Sequence, residues 1–262
     1  MGLLGFLGKK KTPVAESLEN SACESSDCNE HLWTYELVKE MTMTSPERVL
    51  ALCEAVDYLT DHSIAGDIVE CGVWRGGSMM AVAKTLMRQG DLDRRLWMYD
   101  TFEGMSSPTE QDVDFLGNQA KTLLSESSIE QADSIWCRAH LQEVKRNLSS
   151  TQYPEKLLNF VIGPVEETLL DKNNLPSKIS LLRLDTDWYE STKVELEILF
   201  PRLVPGGVLI IDDYGHWQGC RQAVDEYLQR HNIQIFLNRI DYTGRIGIKQ
   251  QRIQNKGLHN VA

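Results

Sequence analysis

Glu70-Cys71-Gly72-Val73-Trp74-Arg75-Gly76-Gly77-Ser78 decides the fold of this 262-residue chain. It follows the apolar run Asp67-Ile68-Val69 and precedes a helical pattern from about Ser78 to Met87. It therefore reads as a glycine-rich turn from a buried strand into a helix. Gly72, Gly76 and Gly77 let the backbone bend sharply and approach a ligand closely. Their G-x-x-x-G-G spacing is not the G-x-G-x-x-G of dinucleotide-binding sheets. A glycine turn alone is also compatible with tight packing and no ligand.

Further elements lie on both sides of the turn. Ser45-Pro46-Glu47 is a helix start, a capping hydroxyl followed by proline, and Val49, Leu52, Cys53, Val56 and Leu59 recur at helical spacing behind it. Strand patterns appear at Leu96–Tyr99, Leu158–Ile162, Ile179–Leu184 and, after the turn Pro205-Gly206-Gly207, at Val208–Ile211. Helices are expected over about Ser191–Phe200 and Cys220–Gln229, with two last strands at Ile233–Leu237 and Arg245–Ile248. Strands alternating with helices predict an α/β, Rossmann-like fold, a mostly parallel seven-stranded sheet with helices on both faces. One domain is expected over residues 32–262, with an irregular insert or lid at about 105–135, behind a flexible arm at 1–31.

Hydrophobic residues make up 42% of the chain, enough for a sizeable core. The formal net charge of -11 argues against nucleic acid and anionic membranes as partners. Of the six cysteines, Cys53 and Cys71 fall in apolar periodic segments, and Cys23 and Cys28 match no common zinc spacing. Apolar Gly2–Gly8 precedes Lys9-Lys10-Lys11, the reverse of a secretory signal, and Phe6 stands where a myristoylation pattern wants Ser or Thr. No stretch approaches a transmembrane length. A cytoplasmic chain without stable membrane insertion is expected.

In such a sheet, ligands sit beyond the carboxyl ends of the strands, and here each of those ends carries chemistry. The first ends in Glu70-Cys71-Gly72, the second in Asp100-Thr101-Phe102, the fourth in Asp185-Thr186-Asp187 and the fifth in Asp212-Asp213. Asp100 is placed to accept ribose hydroxyls, and bulky Trp74 in the turn leaves less room for a pyrophosphate. A ligand with ribose but no phosphate is favoured over a nicotinamide dinucleotide. Asp185, Asp212 and Asp213 form a hard oxygen set suited to magnesium or a similar divalent ion. The alternative is that Asp187 and Asp213 merely cap the helices that follow them.

Six stretches taken together resemble the macrocin O-methyltransferase family: Met41–Arg48, Ile68–Ser78, Tyr99–Met105, Gly163–Leu169, Leu184–Thr192 and Ile211–Tyr214, spread over about residues 35–250. The resemblance implies a class I methyltransferase fold, S-adenosylmethionine as donor, a magnesium ion, and transfer to a sugar hydroxyl on a natural product or glycoconjugate. It places Glu70, Gly72 and Ser78 near the methionine end of the donor, Asp100 with Thr101 and Phe102 at the ribose, and Gly163, Val165 and Glu166 near the adenine. Thr42 and Met43 would close over the donor, Asp185, Asp212 and Asp213 would hold the metal, and a homodimer is expected.

The expected reaction deprotonates one sugar hydroxyl beside the ion, and that hydroxyl attacks the sulfonium methyl in line. Asp185 is the first choice of base, with Asp187 behind it and His140 and His216 as imidazole alternatives. Competing readings are a metal-dependent catechol- or phenol-type O-methyltransferase, a nicotinamide-dependent oxidoreductase, and a catalytically silent scaffold. The first usually has Asn at one metal ligand, where this chain has Asp212-Asp213. The second lacks its glycine fingerprint.

Overall fold

The computed structural model describes residues 26–131 and 134–251. Seven strands, β1 (Asp67–Cys71), β2 (Leu96–Asp100), β3 (Leu158–Ile162), β4 (Ile179–Leu184), β5 (Leu203–Ile211), β6 (Asn238–Arg239) and β7 (Arg245–Ile248), form one sheet in the order β3-β2-β1-β4-β5-β7-β6. The first five are parallel, and β7 runs antiparallel to β5 and β6. The helices are α1 (Ser26–Val38), α2 (Pro46–Asp61), α3 (Gly77–Gln89), α4 (Ala120–Glu126), α5 (Leu141–Ser150), α6 (Val165–Thr168), α7 (Tyr189–Leu199) and α8 (Gln218–Arg230). The predicted seven-stranded, mostly parallel sheet is what the structure shows. None of the described helices is long and apolar enough to cross a membrane.

Alternation along the strands divides the core. Ile68, Leu96, Met98, Leu181, Val208 and Ile210 face one layer, filled from α2, α3 and α5 by Leu52, Val56, Leu86, Val144 and Leu148. Val69, Cys71, Trp97, Tyr99, Leu182, Leu184, Leu209 and Ile211 face the other, filled from α4, α6, α7 and α8 by Leu124, Val165, Leu196, Leu199 and Val224. By the same register Glu70 stands beside Arg183 of β4, on the α2–α3 face. A charged rung inside an otherwise apolar sheet costs free energy unless paired, and this rung lies directly under the strand ends.

Several expectations are corrected. Order begins at Ser26 among the described residues rather than near Leu32, because α1 is docked. His31 is buried, with Nε2 2.9 Å from Asp57 Oδ2 of α2, and Arg88 of α3 grips the same carboxylate through Nη2 at 2.7 Å. The rest of the expected arm, Cys23 included, lies outside the described residues. The insert at 105–135 is not wholly irregular. It contains α4, and its buried Asp112 accepts a 2.8 Å bond from the Tyr189 amide, capping α7. Ile233–Leu237 alternates between half-buried and exposed positions without joining the ladder, and the edge strand β6 begins only at Asn238. The alternation reports which side packs against the second core layer, not hydrogen bonding. Helix α5 was missed; only Val144 and Leu148 of its ten residues are buried, a weak signal.

Candidate active site

The carboxyl ends of β1, β2, β4 and β5 open on one cavity of about 470 Å³, where the strand order reverses between β1 and β4. That switch point is where open α/β sheets bind ligands. Gly72 makes it possible. Its φ is +80°, and a Cβ there would lie 1.9 Å from the Asp185 carbonyl oxygen, so only glycine lets the β1 turn close onto the end of β4. Gly77 has a second role, since a Cβ would meet the Met41 carbonyl at 2.4 Å. The segment before α2 is thereby laid across the start of α3, which brings Thr42 and Met43 to the cavity wall.

Asp100 braces the turn. Oδ2 accepts the amides of Val73 at 2.6 Å and Trp74 at 3.1 Å, and Oδ1 accepts that of Phe102 at 2.7 Å. Burial still pushes its carboxyl above the usual range.

Two arginines organise the acids. Arg183 of β4 is buried; Nη1 donates to Glu70 Oε1 at 2.7 Å and Asp185 Oδ2 at 2.6 Å, and Nη2 donates to Asp212 Oδ1 at 2.6 Å and Thr44 Oγ1 at 3.2 Å. Arg48, from the first turn of α2, donates to Asp212 Oδ2 and pairs with Asp241 through Nε at 3.0 Å. These two cations pair with Glu70, Asp185, Asp212 and Asp241, and Asp187 and Asp213 line the same cavity. The surplus is negative, and the pKa values register it. Burial lifts Glu70 to about 7 against the pull of Arg183, and Asp187 also to about 7, with its acidic neighbours Asp185 and Asp212 adding to the rise. Asp185 and Asp213 are pushed well up by burial.

Asp185, Asp187 and Asp213 each offer one oxygen, and the three oxygens lie within 4.8 Å of one another. The clustered set differs from the expected trio in one member: both Asp212 oxygens are held by Arg183 and Arg48, and Asp187 joins Asp185 and Asp213 instead. The capping alternative also fails. Neither α7 nor α8 has a side-chain cap bond at its own N-cap, Trp188 and Trp217, and Asp112 serves α7 instead. The chemistry of the set fits a divalent cation. Three clustered carboxylates repel, and Asp213 Oδ2 is buried with no hydrogen-bond partner.

Of the other expected residues, Gly72, Ser78, Thr101, Gly163, Val165 and Glu166 line the cavity. Glu70 does not; it lies beneath the floor, paired with Arg183. Phe102 is buried in the core against Phe160, with ring centroids 6.4 Å apart. His140 is exposed at the start of α5, away from the cavity, whereas His216 lines it. Arg48, Arg183 and Trp217 were missed. Arg183 alone left a signal, a charge inside the buried run Ile179–Leu184.

A seven-stranded sheet of this order, with a cavity at its switch point and acids beyond β1, β2, β4 and β5, is a ligand-binding α/β site, and the proteins that the chain matches make it an S-adenosylmethionine-dependent O-methyltransferase. The solved structure of the O-methyltransferase NovP is similar, with a TM-score of 0.68 and 28% identity over 80% of this chain and 83% of that one. The 8-demethyl-8-(2,3-dimethoxy-alpha-L-rhamnosyl)-tetracenomycin-C 4'-O-methyltransferase of Streptomyces olivaceus is 34% identical over 203 residues, 78% of this chain and 73% of the relative. The mycinamicin III 3''-O-methyltransferase of Micromonospora griseorubida is 31% identical over 205 residues, 78% and 76% of the two chains. The family model Macrocin-O-methyltransferase (TylF) matches residues 24–246, and the chain belongs to that family.

Proposed function

We propose that the enzyme transfers the sulfonium methyl of S-adenosylmethionine to a hydroxyl of a sugar carried by a natural product or other glycoconjugate, with Mg2+ or a similar divalent ion. The observation that carries this reading is the convergence of Asp185, Asp187 and Asp213 in the same cavity as the glycine turn and Asp100. β2 and β5 stand three strand spacings apart, on the order of 14 Å. One cavity thus has a donor half near Asp100 and an acidic acceptor half. The Streptomyces olivaceus relative is named for a rhamnosyl-bearing tetracenomycin, which supports a sugar acceptor.

In the donor half, Asp100 and Thr101 would meet the ribose, Gly163, Val165 and Glu166 the adenine, and Thr42 and Met43 would close the near side. Glu70 acts from below, by holding Arg183. In the acceptor half, Asp185, Asp187 and Asp213 would hold the ion. Bound there, the ion would lower the pKa of an acceptor hydroxyl and offset the acidic surplus. Asp185 Oδ2 is taken by the Arg183 guanidinium, so that oxygen already accepts a hydrogen bond and is not free to meet a hydroxyl proton. Asp187 lines the same cavity with no arginine hydrogen-bonded to it among the described residues, so the carboxylate oxygen that does not meet the ion would be left for the hydroxyl proton. We therefore assign Asp187, rather than Asp185, to accept the hydroxyl proton. The homodimer implied by the resemblance is also proposed; light scattering should show a species of twice the chain's mass.

The test is methyl transfer from S-adenosylmethionine to a panel of rhamnosides, with and without a chelator. Activity should vanish on chelation and return with Mg2+. Full activity after metal stripping refutes the metal; binding of NAD in place of S-adenosylhomocysteine refutes the donor.

A further inference from the structure

Phe115 and Leu116 lie at the tip of the insert, 54% and 72% exposed. Single exposed apolar residues are ordinary, but these two are held in place. The buried Asp114 carboxylate accepts the amides of Leu116 at 2.9 Å and Asn118 at 2.8 Å, fixing the tip as a tight loop. The loop is tied to the start of α8: Asp114 bridges to Trp217, and the Gln218 side-chain amide donates to the Asp114 carbonyl at 3.1 Å. Phe115 therefore stands fixed beside the cavity. Its ring lies 5.2 Å from His216 and 5.8 Å from Tyr242, at 62° and 61°, while His216 and Tyr242 themselves meet at 66°. The rings form a corner rather than a stack. His216 and Tyr242 line the cavity on the side of Asp213, and Tyr242 remains 52% exposed. The aromatic corner, in which His216 Nδ1 and the Tyr242 hydroxyl lie 3.3 Å apart, is thus continuous with the acceptor half and opens outward.

We infer that Phe115, Leu116 and Tyr242 bind the apolar aglycone of the acceptor glycoside and so set which glycosides are methylated. This rests on the sugar-acceptor reading above. A sugar held at Asp185, Asp187 and Asp213 would direct its glycosidic substituent toward the exposed side of the cavity, where the aromatic corner and Leu116 stand. Flat apolar groups gain from such rings by burial and by edge and face contacts. A tightly braced loop gives this without ordering a flexible segment at each binding event.

The test uses the full chain saturated with S-adenosylhomocysteine and Mg2+, titrated calorimetrically with 2-naphthyl α-L-rhamnoside and with methyl α-L-rhamnoside. The wild type should bind the naphthyl glycoside about tenfold more tightly or better. Phe115→Ala, and separately Leu116→Ser, should remove most of that preference while leaving affinity for methyl rhamnoside and S-adenosylhomocysteine unchanged. Equal affinity for the two glycosides in the wild type, or a preference that survives both variants, overturns the aglycone surface and leaves the sugar reading standing. If neither rhamnoside binds a chain that does bind S-adenosylhomocysteine, the rhamnosyl acceptor fails and takes the surface with it.

Discussion

Arg183→Met removes a cation that touches three acids at once. Arg183 has a side chain 4% exposed, and it pairs with Glu70 at 2.7 Å and with Asp185 and Asp212 at 2.6 Å each. Breaking a buried ion pair by deleting one partner costs about 3–5 kcal/mol, because the stranded charge remains buried. Against a total stability of about 5–15 kcal/mol this is a large fraction. For a domain of this size it corresponds to a melting shift of roughly 6–20 °C. The loss must depend on pH. Glu70 already has its folded pKa raised to about 7, so its contribution is fully present below its unfolded value and lost as pH rises through 7. Without Arg183 that pKa moves higher, and the stranded acids can take up protons instead of standing as bare charges. The deficit relative to wild type should therefore be small near pH 5 and grow toward pH 8. Calorimetric melting across that range, at fixed ionic strength, measures it. Arg183→Lys should recover only part, since one ammonium cannot reach Glu70, Asp185 and Asp212 together. A melting temperature within two or three degrees of wild type at pH 8 would refute the idea that Arg183 balances these carboxylates.

Other expectations are simpler to check. Asp187→Asn should lower the methyl-transfer rate by about 10²–10⁴ while S-adenosylhomocysteine affinity, read by calorimetry, stays within a factor of two or three; a near-normal rate removes Asp187 as base. Asp212→Asn should instead lower the melting temperature, by leaving Arg48 and Arg183 short of a partner, and a loss of metal affinity with unchanged stability would return Asp212 to the ligand set. Gly72→Ala forces a side chain into φ +80° and against the Asp185 carbonyl, so donor binding should be abolished or the protein should melt several degrees lower. His31 has its pKa raised to about 9, chiefly by its hydrogen bond to Asp57. The stability it contributes is fully present below pH 6.5 and lost as pH rises through about 9. Limited proteolysis between α1 and α2 should accelerate over that window, and His31→Gln should flatten the dependence; identical profiles would show that α1 docks without it.

The sheet was legible because its signal is local. Five apolar runs separated by helical patterns leave few topologies open, and right-handed crossovers prune the rest. The acids beyond β1, β2, β4 and β5 were legible for the same reason, since a carboxylate directly after a buried run needs an explanation. What failed to show was whatever depends on partners distant in sequence. Arg183 reads as an anomaly in Ile179–Leu184, but Glu70 is 113 residues away and Asp212 is 29. Only the order β1-β4-β5 makes the three neighbours. Asp112 was invisible as a helix cap because its helix, α7, begins 77 residues later.

The exchange of Asp212 for Asp187 has a cause that the sequence contains but adjacency hides. Successive residues on a strand point to opposite faces. Val208 and Ile210 face the α2–α3 layer, as do Leu181 and Ile68. Carrying that parity forward by two places Asp212, Arg183 and Glu70 on one side, where the arginine takes both acids. Asp213 follows Leu209 and Ile211 on the opposite parity and escapes this pairing. Two adjacent acids at a strand end therefore point to opposite sides, and Asp212 is the one whose two oxygens are both taken by arginines. The third carboxylate of the cluster comes from a residue freed of that geometry. Asp187 lies past the end of β4 with φ +68°, a left-handed conformation that Asp adopts more readily than most side chains. That backbone turn, rather than the Asp212-Asp213 pair, closes the carboxylate set around Asp185.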